Sequence, residues 1–124
     1  MSFSTAPAVA RGHQKYRNKK VHTEDGLTFD SRAEYRHWQH LCWRLKAGEI
    51  RDLRRQVPFE LAPGVLVAGR RRPPLRYFAD FVWVDVATGE EVVEDVKGAS
   101  TDAWRIKRHL MMSVHGIAVR EIRA

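Results

Sequence analysis

The fold turns on one stretch, Arg76-Tyr77-Phe78-Ala79-Asp80-Phe81-Val82-Trp83-Val84-Asp85-Val86. Its aromatic and β-branched residues predict a strand. After a turn at Ala87-Thr88-Gly89-Glu90 the chain returns as Val92-Val93-Glu94-Asp95-Val96-Lys97, a second strand beside the first. Asp80 stands in the apolar middle of its strand and needs a reason, because burying a lone carboxylate is costly. Side chains alternate along a strand, so Asp95 and Lys97 share one face and Glu94 takes the other. With Thr88 and Gly89 as the central turn residues, Asp80 falls opposite Lys97 and diagonal to Asp95. Diagonal neighbours lie roughly 7–8 Å apart, close enough to share a cation. A one-residue slip would bring Glu94 there instead. The tight turn, and the need of Lys97 for an acid of its own parity, favour Asp95.

Working outward, Val21-His22-Thr23 and Leu27-Thr28-Phe29 flank an Asp-Gly step and predict an N-terminal hairpin. Ser31 and Glu34 fit a capping box. Behind it Tyr35, Trp38, Leu41, Cys42 and Leu45 recur at helical spacing until Lys46-Ala47-Gly48 closes the helix. Ile50 to Ala62 is strand-like, and Pro58 within it suggests an edge position or two short strands. Residues 63–74 read as a loop carrying Arg70, Arg71 and Arg72. A second helix follows Gly98-Ala99-Ser100-Thr101-Asp102 and ends at His115-Gly116, and Ile117 to Ile122 reads as a last strand. The order is α, β, β, β, α, β after the hairpin. The expectation is one α/β (α+β) domain over residues 15–124, a short mixed sheet flanked by two helices, behind a loose tail at 1–14.

The 124 residues carry 22 Lys+Arg against 15 Asp+Glu, a formal charge of +7. Sixteen of the cations are arginine, the side chain that forks onto phosphate and stacks on bases. A polyanion is therefore the expected partner. The single cysteine, Cys42, excludes a disulfide framework and a Cys-x-x-Cys zinc knuckle. No apolar run approaches a membrane span, and residues 1–10 do not read as a signal peptide. A cytoplasmic protein with no membrane partner is expected. Walker-type glycine loops and Gly-x-Ser-x-Gly elbows are absent from the sequence.

Two carboxylates and a lysine on adjacent strands suit a hard divalent metal. Magnesium takes carboxylate oxygens, keeps several waters and draws its remaining ligands from substrate phosphate. A lysine beside it can orient water or offset charge developing on phosphate. The same spacing also fits a plain structural ion pair between Lys97 and Asp95 or Asp80.

Asp80 followed by Asp95-Val96-Lys97 on the next strand resembles the Asp…(Asp/Glu)-x-Lys signature of the PD-(D/E)XK nuclease superfamily. The element order is similar to that superfamily's restriction-endonuclease-like core. More closely, Asn18-Lys19-Lys20, Phe29-Asp30-Ser31, Glu34, Ala47-Gly48-Glu49-Ile50, Gln56, Phe59-Glu60-Leu61, Tyr77, Ala79-Asp80-Phe81 and Glu94-Asp95-Val96-Lys97-Gly98 resemble a phage-borne endonuclease-like family first recorded as a domain of unknown function. The resemblance runs from about Lys15 to the C-terminus. It departs from the superfamily's name at one place, where Ala79 rather than proline precedes Asp80. It implies that Asp80 and Asp95 are metal ligands, with the Val96 carbonyl a further one, and that Lys97 is the catalytic lysine. Magnesium (Mg2+) is the implied cofactor, with manganese (Mn2+) able to substitute, and the implied products carry 5′-phosphates.

Other positions stay double-edged. Glu34 could hold a second ion or a metal-bound water, yet the capping box explains it completely. Gln56 resembles a recurrent polar residue near the superfamily site, and equally a surface glutamine on an interrupted strand. Lys19 and Lys20, Arg70 to Arg72, and Arg105, Lys107 and Arg108 are expected along phosphate, as are Arg17 and the Arg51-Arg54-Arg55 group, although charge runs often only solvate a face. His37 and His40 make a weak possible metal pair. The expected function is a magnesium-dependent DNA endonuclease, phage-encoded and working in the host cytoplasm. Branched DNA such as Holliday junctions, met in recombination and cut by homodimers, is one expected substrate. The rival readings are a non-catalytic nucleic-acid-binding module on the same fold and a restriction-type nuclease.

Overall fold

The computed structural model describes residues 19–124, so the tail expected at 1–14 and the basic residue Arg17 lie outside the described residues. The chain divides into two compact units that part between Gln39 and His40.

In the first unit, strands β1 (Val21–His22) and β2 (Thr28–Phe29) pair antiparallel as the expected hairpin. Phe29 is fully buried, its ring 5.1 Å from that of Tyr35 and 6.1 Å from that of Trp38. Helix α1 (Arg32–Lys46) starts in this unit and ends in the second. Its start shows half of the capping box read in the sequence: Ser31 Oγ accepts from Glu34 N at 3.1 Å, but Glu34 Oε1 accepts from Asp30 N, one residue before the cap, at 3.3 Å. The first bond occupies an amide that the first helical turn leaves without a partner.

The second unit is built on four strands in the order β3 (Ile50–Ala62), β6 (Leu75–Asp85), β7 (Glu91–Lys97) and β8 (Arg120–Arg123). The first three are antiparallel, and β8 runs parallel to β7 after helix α2 (Asp102–His115). Thr101 caps α2 by accepting from Trp104 N. The fold is α+β with a mixed sheet. Pro58 sits in one continuous strand at the sheet's edge, where a missing N–H can be tolerated. The core gathers Leu61, Tyr77, Ala79, Val82 and Val93 from the sheet with Trp104, Met111 and Val119.

Three expectations change. Residues 63–74 are not a plain loop: β4 (Val65–Val67) and β5 (Arg70–Arg72) form a separate two-stranded hairpin. The last strand begins at Arg120 rather than Ile117. The β6–β7 register also differs, with Val84 opposite Glu91, Val82 opposite Val93 and Phe81 opposite Glu94. The cause lies in the turn. Asp85 Oδ1 accepts from the amides of Ala87 (2.8 Å) and Thr88 (3.3 Å), and Asp85 N donates to Glu90 O at 2.9 Å, so the connection is longer than two residues. The ladder moves by two positions, and a shift of two keeps every side chain on its expected face. Continued one rung, it sets Asp80 opposite Asp95 rather than Lys97.

Candidate active site

No backbone rung joins Asp80 to β7. Its own carboxylate crosses instead: Oδ2 accepts from Val96 N at 2.8 Å, while Oδ1 accepts from Gln56 Nε2 at 3.1 Å. The strands are distorted where this happens. Ala79 and Val82 both enter the core cluster, although strict alternation sends residues three apart to opposite faces. Alternation therefore slips between Ala79 and Val82. Gln56, across β3, has a left-handed φ of 50°, a conformation costing a residue with a Cβ roughly 1–2 kcal/mol.

Asp95 is 2% exposed. The buried Tyr77 hydroxyl donates to Asp95 Oδ1 at 2.9 Å. Lys97 Nζ stands 2.7 Å from Oδ2, yet that oxygen receives no aligned hydrogen bond, so the pair is a contact of charges. The ammonium also lies 4.6 Å from the centre of the Trp104 ring, a cation–π placement. Burial pushes the Tyr77 phenol far above its ordinary range, and the charges of Asp95 and Asp80 add to the effect. Tyr77 therefore stays protonated and holds Asp95 as a donor. The site is thus a buried carboxylate steered by a phenol, a second carboxylate clasped to the next strand, and a lysine between Asp95 and an indole. It can attract a cation to the carboxylates and an anion to the lysine, whose side chain is 29% exposed.

The structure brings Asp80, Asp95, Lys97, Val96 and Gln56 together in the second unit. Glu34 belongs to the first unit, where it is buried and caps α1. Tyr77 and Trp104 enter without having been singled out for chemistry. The available signal was that a buried tyrosine hydroxyl requires a partner. Glu94 takes the other face, where Trp83 Nε1 donates to Oε1 at 2.8 Å and Arg120 lies 3.5 Å from Oε2.

The metal requirement can be tested against these groups. Among the described residues, no three His, Cys, Asp or Glu side chains are grouped so as to hold an ion, and this includes the region of His37 and His40. Magnesium needs less from protein: one or two carboxylates suffice when water and phosphate complete the shell. Asp95 Oδ2 is buried, accepts no aligned hydrogen bond and already faces the Lys97 ammonium at 2.7 Å, so it is an oxygen suited to a cation. In chemistry the site fits.

Residues 13–122 match the family described as Protein of unknown function (DUF1064). The chain belongs to that family. No curated protein and no solved structure matches it. In this DUF1064 chain the basic residues expected on phosphate are unequal. Lys20 pairs with Asp30 at 3.0 Å, Arg105 with Asp102, and Arg108 with Glu121 at 2.5 Å. The Arg108 guanidinium holds the Glu121 carboxyl below the usual carboxylate range. Lys19, Lys107 and Arg70 to Arg72 are exposed. No helix among the described residues is long and apolar enough to cross a membrane.

Proposed function

We propose that this chain is a magnesium-dependent DNA endonuclease of the PD-(D/E)XK kind, on a restriction-endonuclease-like core. One observation carries the reading: Asp95, deeply buried, keeps an oxygen without a hydrogen bond while Lys97 stands 2.7 Å away and Asp80 is clasped to the adjoining residue, Val96. A structural ion pair alone has no use for the second carboxylate or for the distortion that delivers it.

In this reading Asp80, Asp95 and the Val96 carbonyl hold the ion. Magnesium, or manganese in its place, supplies Lewis-acid polarisation of the phosphodiester and a lowered pKa for water. The chain's own residues do the rest. Tyr77 fixes the Asp95 carboxylate by donating to Oδ1, and Gln56 fixes Asp80 in the same way. Lys97, held in place by Asp95 and Trp104, orients the attacking water or offsets charge growing on a phosphate oxygen. Glu34, whose Oε1 accepts from Asp30 N, is proposed to hold a second ion or a metal-bound water as well. The substrate reading extends to branched DNA cut by a homodimer, as in processing of recombination intermediates by a phage.

A non-catalytic nucleic-acid-binding module has one observation in its favour: both oxygens of Asp80 already accept hydrogen bonds. A single experiment separates the two. The protein is incubated with linear duplex, single-stranded and four-way-junction DNA, with and without magnesium, beside Asp95→Ala and Glu34→Gln. Cutting that needs the metal, leaves 5′-phosphates and is lost in Asp95→Ala and in Glu34→Gln is expected, and unchanged cutting in Glu34→Gln, which keeps the cap, removes Glu34 from the site. Binding without cutting under magnesium or manganese establishes the module instead.

A further inference from the structure

The basic clusters of this chain differ in whether their charge is already met. Arg51 pairs with Asp52, Arg54 with Glu91, Arg105 with Asp102 and Arg108 with Glu121. Among the described residues Arg70, Arg71 and Arg72 have no ion-pair partner. Residues 63–76 hold four arginines and no acid.

The three arginines form β5, one side of a ribbon with three rungs: Val65 opposite Arg72, Leu66 opposite Arg71 and Val67 opposite Arg70. Ala68 and Gly69 close it with φ of 50° and 77°, the paired positive φ of a type I′ turn. The ribbon belongs to no larger sheet, and its apolar residues are open, Leu66 at 68% exposure. A lone two-stranded hairpin is marginal in water, so this one depends on its base. Pro63, Pro73 and Pro74 restrict the backbone there. Gly64 approaches so closely that a Cβ would stand 2.9 Å from Arg72 O.

We propose that this ribbon enters the major groove of duplex B-form DNA. The choice of DNA as the polyanion rests on the nuclease reading; the mode of entry rests on the ribbon itself. Side chains alternate, so Arg70 and Arg72 leave one face and Arg71 the other. Cations on both faces suit a groove walled by phosphate on both sides, not a flat surface. A major groove about 12 Å wide admits a two-stranded ribbon, whereas a minor groove about 6 Å wide does not. The A-form RNA major groove is deep and narrow, which turns the same ribbon away. Leu66, beside Arg71 on its rung, supplies an apolar contact of the kind a thymine methyl accepts.

The test measures binding alone, by fluorescence anisotropy on a short DNA duplex in chelator, so that cleavage plays no part. Arg70→Ala/Arg71→Ala/Arg72→Ala should make the plot of log affinity against log salt shallower by about 2.7, which is a loss of about 500-fold at 0.1 M salt that closes toward 1 M. Arg71→Ala alone should remove about a third of that slope, a graded effect that misfolding does not imitate. Methyl green, which fills the major groove, should displace the wild type, and distamycin, which fills the minor groove, should not. An RNA duplex of the same sequence should bind at least tenfold more weakly. An unchanged slope, displacement by distamycin alone, or equal affinity for the RNA duplex overturns the proposal. Ribbon-dependent binding by a wild-type chain that never cuts under magnesium or manganese refutes the nuclease alone. Cutting with no dependence on the ribbon refutes the ribbon alone.

Discussion

Asp95 and Glu94 are neighbours on one strand, and each is 2% exposed. Each accepts a hydrogen bond from an aromatic donor, Tyr77 at 2.9 Å and Trp83 at 2.8 Å, and each has a cation nearby, Lys97 or Arg120. They differ in what remains. Both Glu94 oxygens have hydrogen-bond donors, with Arg120 reaching Oε2. Asp95 keeps an oxygen without an aligned donor, and Asp80 reaches the residue beside it. Burial and pairing alone therefore do not mark a reactive acid. The distinction lies in an oxygen met only by the Lys97 charge, with no aligned donor, and in a second acid within reach.

The largest expected effect tests that distinction directly. Asp95→Asn retains a carbonyl oxygen for Tyr77 but removes the charge, and cleavage should fall by at least about 1,000-fold. Glu94→Gln should leave cleavage within about threefold. Equal loss in the two variants would erase the difference between the acids.

The two aromatic donors give the next contrast. Tyr77→Phe leaves Asp95 Oδ1 buried without its donor, which should cost about 1–3 kcal/mol in denaturant unfolding. It should also alter the alkaline limb. Folded Tyr77 keeps its proton beyond pH 10.0, where an unfolded phenol loses it. Its stabilisation is therefore complete below that pH and declines as pH rises, by up to about 1.4 kcal/mol per pH unit. The phenylalanine variant should lose that component of the decline, whereas Trp83→Phe should retain it. An alkaline limb identical in wild type and Tyr77→Phe would show that the phenol is not held as described.

The smallest effect is expected at Gln56. Glycine accepts φ of 50° without penalty, but Gln56→Gly loses the bond to Asp80. The two should nearly cancel, leaving stability within about 1 kcal/mol of wild type. A loss of several kcal/mol would mean that Gln56 supports the sheet rather than Asp80.

Much of this pair of acids was legible before any coordinates. Alternation alone separates Glu94 from Asp95 and joins Asp95 to Lys97, because the period of a strand is local. Register is not local. It depends on Asp85, whose side chain organises the turn and lengthens it, and no pattern in Ala87-Thr88-Gly89 announces that. Tyr77 was legible only as part of the family resemblance, and Trp104 was not legible as a site residue. Their roles come from a helix packing onto a sheet, which brings together residues distant in the chain. The β4–β5 ribbon was missed because Ala68-Gly69 is not one of the Asn-Gly or Asp-Gly pairs that signal a type I′ turn. Its arginines also follow no strand period. At Glu34 the link to Ser31 was readable from the capping motif, while the bond of its carboxylate to the Asp30 amide was not.

The clasp between Asp80 and Val96 has a spectroscopic consequence. The Val96 amide donates to a side chain rather than to a strand carbonyl, so its proton senses one carboxylate directly. Any ion, proton or phosphate that draws electron density from Asp80 should move the nitrogen-15 and amide-proton shifts of Val96 before it disturbs the neighbouring ladder. The backbone thus carries a native reporter beside the reacting groups, readable in solution without adding a label to the side chains it observes.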